Sequence, residues 1–167
     1  MSTGYLHRAL TQSLLAHLPA TLHHQVESWM EPAALVLAPK DEGTGLRLAH
    51  FIYTSAIHME DVPFALVDTA SLFAQVGAWV MEHDSDRDML SPEEQQIRID
   101  TNKVDDNKID IDIDVMLCEA MHLIPDTQGP VLMDNRRWRL DVPPLYVAES
   151  IQVVTELDTQ TEAGYGN

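Results

Sequence analysis

The spacing of apolar and polar positions changes several times along this chain, and each change marks an element. Over Tyr5–Leu18, Leu6, Leu10 and Leu14 recur every four residues, with Ala9 and Leu18 widening the stripe. That period predicts an amphipathic helix. Ser2 or Thr3 is placed to cap it, and Pro19 stands just past its end. From Leu22 to Pro39 the helical period is lost. Val26, Trp29 and Ala34–Leu37 read as short strands broken by Glu31–Pro32, and Lys40–Gly45 reads as a hairpin loop. Leu46–Met59 reads as a long strand whose two halves differ in parity, which a bulge near Ala49–His50 reconciles.

Pro63–His83 carries the strongest helical pattern. Asp68, Ser71, Gln75 and Glu82 form one polar stripe, and Leu66, Val67, Ala70, Phe73, Ala74, Val76 and Val80 fill the remainder. A helix this apolar is expected against a sheet, with Asp61 as cap and Pro63 in its first turn. His83–Pro92 is a charged loop, and Gln96–Thr101 alternates as a strand. Past a polar turn at Val104–Lys108 the alternation is strict. Ile109, Ile111, Ile113, Val115 and Leu117 point one way, and Asp110, Asp112, Asp114 and Met116 the other. These two strands form an antiparallel hairpin. Glu119–Ile124 continues the second strand, and Pro125–Pro130 is a turn. Val131–Met133 and Trp138–Leu140 form another hairpin around Asp134–Asn135. Pro143–Pro144 ends regular structure within Val142–Leu145, and Ile151–Leu157 reads as an added strand.

Together these elements predict an α+β fold: a mixed, mainly antiparallel sheet with flanking helices, namely an N-terminal helix and a long central helix packed on the sheet. Residues 1–157 are expected to form one domain, and 158–167 a flexible C-terminal tail.

Composition narrows the function. The 167 residues carry a net charge of −17 with only ten Lys and Arg, so a primary grip on nucleic-acid phosphates is not expected. Phe64–Met81, the longest apolar-rich stretch, contains Asp68, Thr69, Ser71 and Gln75 and is a poor membrane span. No secretory leader is read at the N-terminus. A single cysteine, Cys118, forms no intramolecular disulfide and reads as a half-buried structural thiol.

Candidate chemistry is sparse. Asp110, Asp112 and Asp114 imitate the first three ligands of a calcium loop, but its sixth position is Val115 in place of Gly, and its twelfth is Met121 in place of Glu. A strand also spaces such aspartates about 6–7 Å apart, too far to wrap one ion. The eight histidines show no HExxH spacing and no accompanying Cys pair. No Ser sits in a nucleophile elbow, and Gly43–Gly45 lacks the rest of a phosphate-binding fingerprint. No enzyme activity, metal or cofactor is therefore expected. The one basic spot, Arg136, Arg137 and Arg139 around Trp138, is expected to dock on the acidic face Asp110–Asp114 of another copy. These seven residues are the candidate subunit interface.

The order of these elements resembles a known family. A Leu-His-Arg-Ala-Leu-Thr helix is followed by β-structure and the strand Leu46–Met59. Then come a helix closing on Trp79-Val80-Met81-Glu82-His83, the strand Ile97-Arg-Ile-Asp-Thr-Asn, a polar turn, and the Ile109–Leu117 ladder. Over roughly residues 5–155 this looks like the tail completion protein R of P2-type contractile-tailed bacteriophages and their prophage or tailocin relatives. The resemblance implies a tail-terminator-like fold and a ring, commonly of six copies, on the head-proximal end of the tail. The implied partners are the chain itself, the tail tube and sheath proteins and the head–tail connector, with DNA only as passing cargo and no membrane. The implied location is the host cytoplasm during assembly and then the virion tail. A small non-phage binding or adaptor domain is the alternative reading, and an enzyme whose site forms across a subunit interface is a third.

Overall fold

The computed structural model describes residues 4–142. Helix α1, Tyr5–Ala16, is followed by a 3₁₀ turn at Ala20–Gln25 and by strands β1, Val26–Asp41, and β2, Leu46–Pro63. Helix α2, Thr69–His83, leads to β3, Arg98–Lys103, and β4, Lys108–Pro125. The chain then forms the short β5, Val131–Met133, and β6, Arg136–Asp141. The strand order is β1-β2-β4-β6-β5. Strand β4 borders β2 along nearly its whole length. Its other edge is shared, by β3 over residues 109–114 and by β6 over residues 122–125.

Two expectations about the fold are corrected. The sheet is not mixed: every strand pairing among the described residues is antiparallel, and the sheet curls into a half-barrel. Nor is there a long central helix over Pro63–His83, since α2 begins only at Thr69 and has 15 residues. Tertiary pairing overrides the local pattern here. Val62 and Pro63 continue the β2–β4 ladder opposite Ile109 and Lys108, and the Phe64 N–H donates to the Asn107 carbonyl at 2.9 Å. Asp68, joined to the Ser71 hydroxyl, takes the cap position in place of Asp61. Asp61 instead sits at positive φ in a bulge of β2.

Strand β1 also differs from expectation. It runs unbroken for 16 residues through Glu31–Pro32. Proline is tolerated because β1 is an edge strand among the described residues, and its register with β2 shifts at Pro32/Ala34 and again at Leu37/Lys40. In β2 the bulge expected near Ala49–His50 appears between Arg47 and Ala49.

Both helices lie on one face of the sheet. The core joins Leu6, Leu10 and Leu14 of α1, Leu72, Val76, Trp79 and Val80 of α2, Tyr53, Ile57 and Met59 of β2, and Ile111, Ile113, Val115 and Leu117 of β4. The four β4 side chains are wholly buried, and each contributes about 2 kcal/mol by leaving water. The alternation read in the sequence thus sets which face of β4 carries the core. Val142–Leu145 reaches past the described residues, and Ile151–Leu157 and the 158–167 tail lie wholly outside them.

Candidate functional site

The Asp110–Asp114 ladder lies on the face of β4 opposite the helices, and two of its three members are engaged within the chain. Asp110 Oδ1 accepts the Asp61 N–H at 2.9 Å and so holds the β2 bulge. Asp112 Oδ1 stands 2.6 Å from His58 Nδ1, and Glu60 is 3.5 Å from His58 Nε2. The bond to Asp112 is the main reason the His58 pKa is raised. Asp114 faces Arg98 across the β3–β4 pair, and its carboxyl is held above the usual range by burial and then by Glu31. Asp114 lines an open groove of about 290 Å³ with Glu31, Glu93, Glu94 and Arg98.

The basic cluster sits elsewhere. Asp134 and Asn135 both adopt positive φ, which makes the tight turn between β5 and β6. Trp138 is buried and donates to the Met133 carbonyl at 3.1 Å. Arg136 lies over its ring, 5.1 Å from the centroid. Arg137 donates to the Gly129 carbonyl at 3.2 Å, and Arg139 approaches Asp126 at 3.5 Å. A Cβ at Gly129 would strike the Trp138 backbone, so only glycine lets the preceding turn close over this hairpin. Within one chain the aspartates and arginines are not brought together: β3 pairs with β4 beside the first group, and β6 at the far end of β4 carries the second.

Pattern reading missed Glu119. It sits at the next core-facing position after Leu117 and is 3% exposed. Its carboxylate accepts N–H bonds from Gly4 at 3.0 Å, Tyr5 at 3.4 Å and Leu6 at 3.3 Å, and the Tyr53 hydroxyl at 2.6 Å. Gly4, in the left-handed region, provides no side-chain cap for α1. Glu119 therefore caps that helix from across the sheet, where a negative charge also meets the helix dipole. Burial, countered by these bonds, holds its pKa above the ordinary value. The Tyr53 hydroxyl in turn accepts the His7 N–H at 3.0 Å, and His7 Nδ1 meets Ser55 Oγ at 2.6 Å. One signal for Glu119 was available: a carboxylate interrupting an aliphatic run on a core-facing parity.

The segment after α2 folds onto the outer face, where Leu90 packs on Ile52 and Cys118. It also bridges the stretch of β4 edge that β3 and β6 leave open. Asp84 Oδ2 accepts the Cys118 N–H at 3.3 Å, Arg87 donates to the Met116 carbonyl at 2.5 Å, and the two side chains pair at 3.3 Å. Beyond them the Tyr5 hydroxyl donates to the Ala120 carbonyl at 3.4 Å. Cys118 is fully buried there, more so than the half-buried thiol read from the sequence, and burial beside Asp84 pushes its thiol up to about 12. His50 lies on the same face, buried, with Nε2 3.5 Å from Asp86.

Strand β1 presents a different surface. Leu35, Val36 and Leu37 are exposed although they project to both faces of the strand, and β1 has no neighbour on its outer edge among the described residues. Among the described residues, no group of three or more His, Cys, Asp or Glu could hold a metal ion, and no helix is long and apolar enough to cross a membrane. These surfaces offer contacts between macromolecules, and the one His–Ser pair described above, His7 with Ser55, is buried in the core.

Comparison with known proteins gives two matches of consequence. The family described as P2 phage tail completion protein R (GpR) matches residues 5–142. A protein of Haemophilus phage HP1 (strain HP1c1), described as an uncharacterized 19.2 kDa protein in the rep-hol intergenic region, is 31% identical over 164 residues, covering 95% of each chain. No solved structure matches.

Proposed function

This chain belongs to the P2 phage tail completion protein R family, and from that premise we propose that it acts as a structural tail terminator with no catalytic role. Copies form a ring, six in number, on the head-proximal end of a contractile tail. The ring stops growth of tube and sheath and presents a surface to the head–tail connector. It is built in the host cytoplasm and stays in the virion tail. The observation that carries this reading is the family match, which spans almost every described residue.

The charge of the chain supports it. A ring built from copies of charge −17 tends toward an acidic channel, through which DNA passes as cargo without adhering. Light scattering on the size-exclusion peak of the purified protein, followed by negative-stain microscopy with and without isolated tails, tests the proposal. Closed rings, or density capping one end of each tail, are expected. A chain that stays monomeric at high concentration and leaves tails uncapped refutes the reading.

A further inference from the structure

We propose that copies of this chain join head to tail along their sheets, the β5–β6 hairpin of one copy seating on the β1 edge that no described strand covers in the next. This rests on the ring reading above and names the contact that would build the ring.

The acceptor is the stretch Ala33-Ala34-Leu35-Val36-Leu37-Ala38, bounded by Pro32 and Pro39. It has no charge. Leu35 is 52% exposed and Leu37 70%, and β1 has no strand on its outer side among the described residues. Exposed sheet edges are normally blunted by charges or by proline, because a bare apolar edge recruits other strands. Here the prolines stand only at the two ends, where they limit pairing to the six residues between them. Just before Pro32, Glu31, which accepts the Trp29 indole N–H at 3.0 Å through one oxygen, opens a groove where it, Glu93, Glu94 and Asp114 outnumber the single cation Arg98.

The donor lies at the opposite limit of the same sheet. Strand β5 is the last in the order, its Leu132 is 67% exposed, and the tight turn beside it leads directly into exposed Arg136 and Arg137. An apolar side chain next to cations thus matches an apolar strand next to carboxylates. The occupant is a second copy because this chain itself carries both complementary surfaces. Since they sit on opposite edges, the contact is heterologous; it repeats from copy to copy and closes into a ring when the rotation permits. The arginines are therefore assigned to Glu31 and the groove. Of the aspartate ladder only Asp114 belongs to that groove, while Asp110 and Asp112 are occupied by Asp61 and His58.

Two full-length variants test the proposal: a donor variant, Arg136→Glu with Arg137→Glu, and an acceptor variant, Leu35→Lys with Leu37→Lys. Leu35 and Leu37 are exposed, so the acceptor variant should match wild type in circular dichroism and thermal melts, whereas Arg136 and Arg137 also contact Trp138 and the Gly129 carbonyl, so the donor variant should keep its dichroism and melt slightly earlier. Leu132→Asp serves as a second donor variant if the first melts early. Each variant alone is expected to lose rings and run as a monomer. Mixed, they should form a one-to-one dimer and nothing larger, because each retains the surface the other lacks. Ile99→Lys, on β3, which pairs only with β4 among the described residues, should leave assembly unchanged. Variants that still form rings, folded variants that do not pair when mixed, or loss of assembly through Ile99→Lys would overturn the interface. Wild-type protein that never assembles, alone or on tails, would instead overturn the ring reading.

Discussion

Glu119 bears on the start of the fold more than any other single side chain described, since it joins the first turn of α1 to β2 and β4 through four hydrogen bonds. Glu119→Ala would leave three backbone donors and a buried hydroxyl without their acceptor. It should cost about 3 kcal/mol, measured by urea denaturation. The pH dependence has a definite sign. Burial raises the carboxyl above its ordinary 4.5, so folding favours its protonated form. The stability this contributes is complete below 4.5 and is lost as pH rises through the raised native value. Relative to Glu119→Gln, wild type should therefore lose stability as pH rises above 4.5 through the raised native value; a difference that grows with pH would contradict this account.

At the scale of elements, β4 organises the sheet, and its weak point is the open edge between β3 and β6. Arg87 supports that edge twice, by binding the Met116 carbonyl and by neutralising buried Asp84. Arg87→Ala leaves Asp84 as an uncompensated buried charge and should cost about 3 kcal/mol. Amide exchange should quicken first at Cys118, whose N–H bonds to Asp84, while exchange at Ile111 and Ile113 changes only with global stability. Equal acceleration along the whole strand would show that the bridge has no local effect. Most of these elements were legible beforehand, because helix and strand periods are local properties of the chain. The exceptions have long-range causes. The pairing of Pro63 with Lys108 shortened the central helix, and register shifts at the prolines kept β1 continuous.

For the whole molecule, one core joins α1, α2, β2 and β4, so these elements should unfold together. Far-ultraviolet dichroism and the fluorescence of Trp79, buried in that core, should give coincident urea transitions. The β5–β6 hairpin meets β4 over only four residues, and a separate transition there would be reported by Trp138. The charge distribution also belongs to this scale. Acidic groove and arginine hairpin occupy different ends of the sheet, which favours contact between copies over contact within one.

The sequence by itself determined the helical stripe of α1, the two faces of β4 and a strongly acidic surface, because each follows from local spacing or from a sum over residues. The bulge in β2 was also within its reach, and Cys118 was read as half-buried where the fold buries it fully. Only the tertiary structure decided that Glu119 caps a helix more than a hundred residues away, that Asp84 and Arg87 close a gap in the sheet, and that the apolar run of β1 lies exposed on an edge with no strand beside it among the described residues. Those facts depend on which segments become neighbours. An uninterrupted apolar run reads as a buried strand whether its partner lies in the same chain or in the next.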